Sequence, residues 1–319
     1  MRVIYVDNNA TTQVAPEVLE EMRPYFSEFY GNPSSMHSFG GKLGRKLKEA
    51  RASVAALLGA APEEIIFTSC GTESDNTAIR AAIQSYPHKK HIMTSRVEHP
   101  AIKNLFEYLS KNGYRVTFVP VDRQGRLDLD YLYKNLSEDT AIVSLMWANN
   151  ESGVIFPVEE ISRVVKDRGV VFHTDAVQAV GKIPIDLKKA GVDMLSLSGH
   201  KLHGPKGIGV LYVRKGTKFS PFLIGGHQES GRRGGTENVA AIIGLGKASE
   251  LAATHLKEEN TRIRQLRDKL ENELIKCVPN TLIIGDRENR LPNTPSIAFE
   301  YVEGESILLM MDEFGICAS

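Results

Sequence analysis

Leu43, Leu47, Ala50, Val54 and Leu57 recur at steps of three and four, a spacing that lines one face of a helix. Beyond them, short β-branched and apolar runs alternate with helical or loop stretches. The runs are Glu64 to Thr68, His91 to Ser95, Arg115 to Val119, Ala141 to Met146, Val170 to Thr174, Asp193 to Ser198 and Gly207 to Val213. Continuous rather than alternating apolar runs separated by helices predict an α/β fold, a mostly parallel sheet of seven strands sandwiched by helices. A glycine-rich connection, Gly225-Gly226-His227 through Gly234-Gly235, then leads into a long helical pattern from about Thr236 to Cys277. Ile263, Leu266, Leu270, Leu274 and Cys277 keep helical spacing along it, which predicts a buried apolar stripe that includes Cys277. Two further strands (Leu282 to Ile284, Ser296 to Tyr301) and a helix (Glu305 to Phe314) follow, and Gly315 to Ser319 is read as lacking a closing strand.

A chain of 319 residues can bury a large core and allows about two domains. Apolar residues at 42% and charged residues at 24% match ordinary globular proteins and exclude disordered and fibrous classes. Basic and acidic residues balance at 39 each, so no net charge draws the chain to nucleic acid or to an anionic membrane. Cys70, Cys277 and Cys317 are too few and too scattered for a disulfide framework, which suits a reducing, cytoplasmic compartment. The N-terminus has no signal-peptide stretch, and no run approaches the ~18 apolar residues of a spanning helix.

In open α/β sheets ligands bind at the carboxyl ends of the strands. There Ser69-Cys70-Gly71-Thr72-Glu73-Ser74 opens a helix with a glycine and a hydroxyl, either an anion site or a plain cap. Val170-Val171-Phe172 runs into His173-Thr174-Asp175-Ala176-Val177-Gln178, an acid and an amide at another strand end. Ser198-Gly199-His200-Lys201 puts a lysine among small residues beside a histidine, and such a lysine can form a Schiff base. Other motifs fail. Pro205 and Ala248 occupy positions where a P-loop needs lysine and Ser/Thr, no Gly-x-Gly-x-x-Gly follows the first strand, and His-Glu-x-x-His is absent. His88 and His91 are read as lying in a lysine-rich surface loop.

The remaining set meets the needs of pyridoxal 5'-phosphate: an amine, a carboxylate for the ring nitrogen, an anion site and a flat ring partner. Lys201 would supply the amine and Asp175 the carboxylate, while Gly71, Thr72, Ser198 and His200 would hold the phosphate. His99, in Glu98-His99-Pro100, would stack on the ring or else merely open a helix. Trp147 reads as core.

At these residues the sequence resembles the NifS/IscS-type cysteine desulfurases, fold-type-I pyridoxal-phosphate enzymes of the class-V aminotransferase family. The matching stretches run in order along nearly the whole chain: Asp7-Asn8-Asn9-Ala10-Thr11-Thr12, Gly31-Asn32-Pro33-Ser34-Ser35, Thr68 to Ser74, Glu98-His99-Pro100, Ala148-Asn149-Asn150-Glu151, His173 to Gln178 and Ser198 to Lys201. The resemblance implies that Gln178 bonds the cofactor's ring hydroxyl and that Asn150 lies near the ring and the substrate carboxylate. It also implies that Thr236 reaches the phosphate of the neighbouring subunit in a homodimer. The expected division is 1–15 as an N-terminal segment of a small domain, 16–260 as the large cofactor-binding domain, and 261–319 as part of the C-terminal small domain. The implied substrate is L-cysteine, with sulfur passed to an iron-sulfur scaffold or another acceptor, and the wording of the motifs leans toward the nitrogen-fixation branch.

In the family, a stretch like Cys317-Ala318-Ser319 leads into Gly-Ser-Ala-Cys, whose cysteine is the nucleophile, and later into an arginine for the substrate carboxylate. Both lie beyond Ser319. Cys317 aligns with the lead-in and Cys70 with a residue beside the phosphate loop, so neither inherits the nucleophilic role. Two rival readings stay open: a cofactor-binding but non-catalytic chain, and another lyase or aminotransferase acting on a small amino acid.

Overall fold

A computed structural model describes residues 3–319, so residues 1 and 2 of the expected N-terminal segment lie outside it. In chain order the strands are β1 (Ile4–Tyr5), β2 (Ile65–Thr68), β3 (His91–Ser95), β4 (Arg115–Val119), β5 (Thr140–Met146), β6 (Val171–Asp175), β7 (Met194–Ser198), β8 (Gly209–Val213), β9 (Thr281–Ile283), β10 (Ile297–Phe299) and β11 (Ile316–Cys317). The helices are α1 (Pro16–Met22), α2 (Pro24–Ser27), α3 (Ser38–Leu58), α4 (Gly71–Ser85), α5 (Pro100–Lys111), α6 (Leu129–Asn135), α7 (Val158–Asp167), α8 (Leu187–Ala190), α9 (Val239–Glu258), α10 (Arg264–Cys277) and α11 (Gly304–Glu313).

Strands β2 to β8 form one seven-stranded sheet in the order β2-β8-β7-β6-β5-β3-β4, parallel except for β8. All seven residues of β5 are buried, as a strand covered by helices on both faces requires. Ala78, Ile79 and Ala82 of α4 and Ile102, Leu105, Phe106 and Leu109 of α5 pack one face of the sheet. Leu47, Ala50, Val54 and Leu58 of α3, with residues of α7 and α9, pack the other. Trp147 belongs to that second cluster, 7% exposed. Gly209, at the start of β8, is crossed so closely by the chain at Cys70 that a Cβ there would lie 2.6 Å from the Cys70 carbonyl carbon. That approach brings the start of α4 against the sheet edge.

The observed strands lie within two residues of those the apolar runs predict. Three expectations are corrected. The stretch after α11 does contain a closing strand, since Ile316 and Cys317 pair in parallel with Ile4 and Tyr5. The Ile263-to-Cys277 stripe is not buried: Leu266 and Leu270 are exposed, as is Cys277. The inward face of α10 is instead polar, because Arg267 and Glu271 are buried against the loop that carries Arg290. His91 is no surface residue. Strands on both sides bury it completely, and its ring bonds Thr140 at 2.8 Å and Thr117 at 2.9 Å.

α9 and α10 are joined by a π-helical turn (Glu259–Ile263), so the expected boundary between residues 260 and 261 falls inside one continuous helix. No helix among the described residues is long and apolar enough to cross a membrane.

Candidate functional site

The sheet delivers its polar residues to one edge. Helix α4 starts at Gly71 with Cys70 as N-cap, and Cys70 makes no side-chain cap bond. The amides of the first turn are thus left without a side-chain cap at the positive end of a 15-residue helix. A Cβ on Gly71 would stand 3.1 Å from Val177 Cγ2 and 3.5 Å from Ser198 Cβ, so the bare glycine lets α4 close on the ends of β6 and β7. Thr72 is exposed beside it, and Ser198 is buried at the end of β7.

Asp175 ends β6 with 7% exposure, and its Oδ1 accepts the Val177 amide at 2.9 Å. Burial pushes its carboxyl above the usual value, while the Val177 amide and the charges of His99 and Lys201 pull it back. Lys201 and the His99 ring thus both bear on Asp175 across the site. His99 is the N-cap of α5, with Nδ1 accepting from the Ala101 amide at 3.2 Å, so it serves as a helix cap while its ring stays exposed at the cleft.

Lys201 ends the turn after β7. Its amine donates to the carbonyl of Ala10 at 2.7 Å and to that of Asn9. Burial lowers its pKa against the opposing pull of Asp7 and Asp175, which favours the neutral amine a nucleophile or base needs. His200 beside it bonds Thr11 Oγ1 through Nδ1 at 3.1 Å and is pushed down to about 4, chiefly by burial. The stretch 7–12 thus lies over the site as a strap, held further by Thr12, whose hydroxyl donates to the His200 carbonyl at 2.8 Å.

Gln178 donates from Nε2 to the Asn9 carbonyl at 3.0 Å, and the Asn150 carbonyl accepts from Asn9 Nδ2 at 3.1 Å. Gly71, Asp175, Gln178, Ser198, His200, Lys201, His99 and Asn150 therefore gather along one edge. Thr236 stands apart in an exposed loop, near Arg233, which pairs with Glu73 of α4 at 2.9 Å.

Two kinds of residue were missed. Asn9 is a hub for the strap, and nothing but its motif Asp7 to Thr12 signalled it. Asp75 and Glu98 are buried carboxyls close to Asp175. Asp75 could have been found, since it sits on the sheet-facing side of α4 among Ala78, Ile79 and Ala82.

Comparison with known proteins places these features in a lineage. The aminotransferase class-V family model matches residues 4–319. The chain is 57% identical over 319 residues to the cysteine desulfurase of Trichormus azollae, covering 100% of this chain and 80% of that one. It is 57% identical over 320 residues to cysteine desulfurase NifS of Azotobacter vinelandii, with the same coverage. Among solved structures, a NifS-like protein superposes with a TM-score of 0.96 at 43% identity, over 99% of this chain and 87% of that one. SspA in complex with cysteine superposes with a TM-score of 0.87 at 34% identity, over 99% and 88%.

Proposed function

Because the chain belongs to the aminotransferase class-V family and its relatives there include cysteine desulfurases, we propose that it converts L-cysteine to L-alanine and passes the sulfur atom to a thiol as a persulfide. The reaction balances: cysteine and a thiol yield alanine and a thiol carrying one more sulfur. The observation that carries the reading is the convergence of Lys201, the buried Asp175 and the uncapped first turn of α4 on one sheet edge.

The family uses pyridoxal 5'-phosphate, and the donor set fits it. The free amides of Gly71 and Thr72 suit its phosphate, with Ser198 and His200 nearby, and Thr236 would reach the phosphate of a second subunit. Asp175 has one oxygen committed to Val177 and forms no ion pair among the described residues, as a partner for a protonated ring nitrogen should. When bound, the group supplies an aldehyde for amines and a ring that draws electrons from the substrate's Cα.

The chain's own residues divide the rest of the work. Lys201, its amine eased toward neutrality by burial, would hold the aldehyde and would take the substrate's Cα proton on Nζ. The carbonyls of Asn9 and Ala10 receive that amine when it is free. Asp175 would hold a proton on the ring nitrogen. His99 would face the ring and could move a proton, Gln178 would orient the ring hydroxyl, and Asn150 the substrate carboxylate. None of Cys70, Cys277 and Cys317 is given the sulfur-accepting role. We further propose a cytoplasmic homodimer that serves iron-sulfur assembly, with an acceptor protein taking the sulfur.

The test supplies cysteine and a dithiol to the cofactor-loaded protein, the dithiol accepting the sulfur and closing to a disulfide as sulfide leaves, and measures alanine and sulfide. Alanine and sulfide in equal amounts are expected. A keto acid in place of alanine would overturn the reading in favour of transamination.

A further inference from the structure

Beneath Asp175, on the face of the sheet that α4 covers, lies a chain of polar groups sealed from solvent. Ser144 Oγ meets His173 Nδ1 at 2.8 Å, and His173 Nε2 meets Ser196 Oγ at 2.9 Å. The three stand on β5, β6 and β7, and all are fully buried. Alternation along β6 turns His173 and Asp175 to the same face, and Asp175 pairs in register with Ser196. Asp75, one turn into α4, closes the chain. It is 1% exposed, and its Oδ1 has no hydrogen-bond partner although it lies 3.7 Å from His173 Nε2.

A buried carboxylate needs a cation or several donors, and otherwise takes up a proton. Neither is on hand. Both ring nitrogens of His173 are committed to serine hydroxyls, and burial pushes that ring down to about 3, so it stays neutral. The other titratable groups facing Asp75 are Asp175 on β6, Glu98 after β3 and Cys70 at the start of α4, all of which become negative on ionising. Among the described residues no lysine or arginine pairs with Asp75. Of the three carboxyls, Asp175 alone senses Lys201 and His99.

We infer that Asp75 is a positioning residue: a neutral carboxylic acid lodged behind Asp175, whose retained proton keeps a second negative charge away from the site. A second anion there would raise the proton affinity of Asp175 beside it, and a protonated Asp175 would no longer face the ring nitrogen as a charged partner. The inference rests on the reading of Asp175 as the partner of that nitrogen. Glu98, pushed up to about 8 by burial, is neutral alongside it at pH 7.

The test uses the full chain, with and without cofactor. Asp75 binds its proton more tightly folded than unfolded, so its contribution is present in acid and is lost as pH rises. The unfolding constant of the cofactor-free protein should therefore rise against that of Asp75→Asn by up to about 10-fold per pH unit above pH 4. A ratio that does not change with pH overturns the inference. As a second measurement, infrared spectra at pH 7 should show a protonated-carboxyl band that Asp75→Asn removes, distinct from the band removed by Glu98→Gln. If Asp75→Asn removes no band, Asp75 is ionised and the inference fails. In the loaded protein the cofactor's visible band should show an alkaline inflection that Asp75→Asn abolishes, and an identical titration in the variant denies the positioning role. Asp175→Asn separates the two readings: if it leaves cofactor affinity intact, the assignment of the ring nitrogen fails, whatever the cofactor-free protein shows of Asp75.

Discussion

Gln178 and Asn9, 169 positions apart in the chain, are joined by a hydrogen bond of 3.0 Å from the amide side chain to the main-chain carbonyl. The same asparagine uses its side chain to hold the Asn150 carbonyl at 3.1 Å and Thr294 Oγ1 at 3.0 Å. One short residue thus ties together the strap, the sheet edge that carries Gln178 and Asn150, and the segment before β10.

Asn9→Ala removes the side-chain bonds and leaves the strap to its main-chain contacts. With a net contribution of about 0.5–1.5 kcal/mol per bond, urea denaturation should show a loss of about 1–3 kcal/mol. Acylation of Lys201 in the cofactor-free protein should quicken in parallel. Unchanged stability and reactivity would mean that the strap is held without Asn9.

Lys201→Ala takes away the amine proposed to hold the aldehyde and to act as base. Borohydride reduction of the loaded protein should then leave no pyridoxyl group on the peptide spanning residue 201, and alanine release should fall by about 10²–10⁴-fold. A label elsewhere, with activity retained, would assign the chemistry to another lysine.

Arg51 and Glu229 form a two-pronged pair with both bonds at 2.7 Å, and Glu229 also accepts the Phe67 amide at 3.0 Å. Glu229 and Ser230 stand at φ of 48° and 58°, a left-handed backbone that non-glycine residues rarely adopt. Since the Glu229 side chain is only 3% exposed, Arg51→Ala strands a buried charge and should cost about 3–5 kcal/mol. Adding Glu229→Gln should recover part of that loss. A single variant as stable as the parent would deny the pair its structural part.

Glu98 shares a hydrogen bond with Ser95 and accepts the Met146 amide at 3.1 Å, with Oε2 buried and unpartnered. Burial pushes it up to about 8. Because the folded value is the higher one, the stabilisation is complete below about pH 4, the ordinary glutamate range, and is lost as pH rises through 8. Glu98→Gln should gain on the parent in urea midpoint across that interval and level off above it. A constant difference from pH 4 to pH 9 would mean an ordinary glutamate.

The seven sheet strands were legible because each is a compact apolar run between helices, and burial on both faces leaves no polar alternation to confuse the reading. The β1–β11 ladder was not, since two residues at each end of the chain carry no local pattern that foretells their pairing. α10 was misread for a related reason. Its Leu266 and Leu270 keep perfect helical spacing, yet what turns the helix inward is the pairing of Glu271 with Arg290, a partner 19 positions away. At the candidate site, the places of Gly71, Asp175 and Lys201 beside strand ends were legible, because each follows or closes an apolar run. The grip on Lys201 was not, because the groups that hold it are main-chain carbonyls, and carbonyls have no signature in a sequence.

The π-helical turn between α9 and α10 is pinned at its start, where Glu259 pairs with Lys182 at 2.9 Å and Asn260 donates to the Lys182 carbonyl at 2.9 Å. From there the helix runs about 24 Å to Cys277 at 1.5 Å per residue, and it is held a second time midway, where Arg267 grips the Leu291 carbonyl and Glu271 meets Arg290. Two anchors along one rod fix its direction as well as its origin, and the stretch from Glu271 to the solvent-exposed tip at Cys277 runs on beyond both.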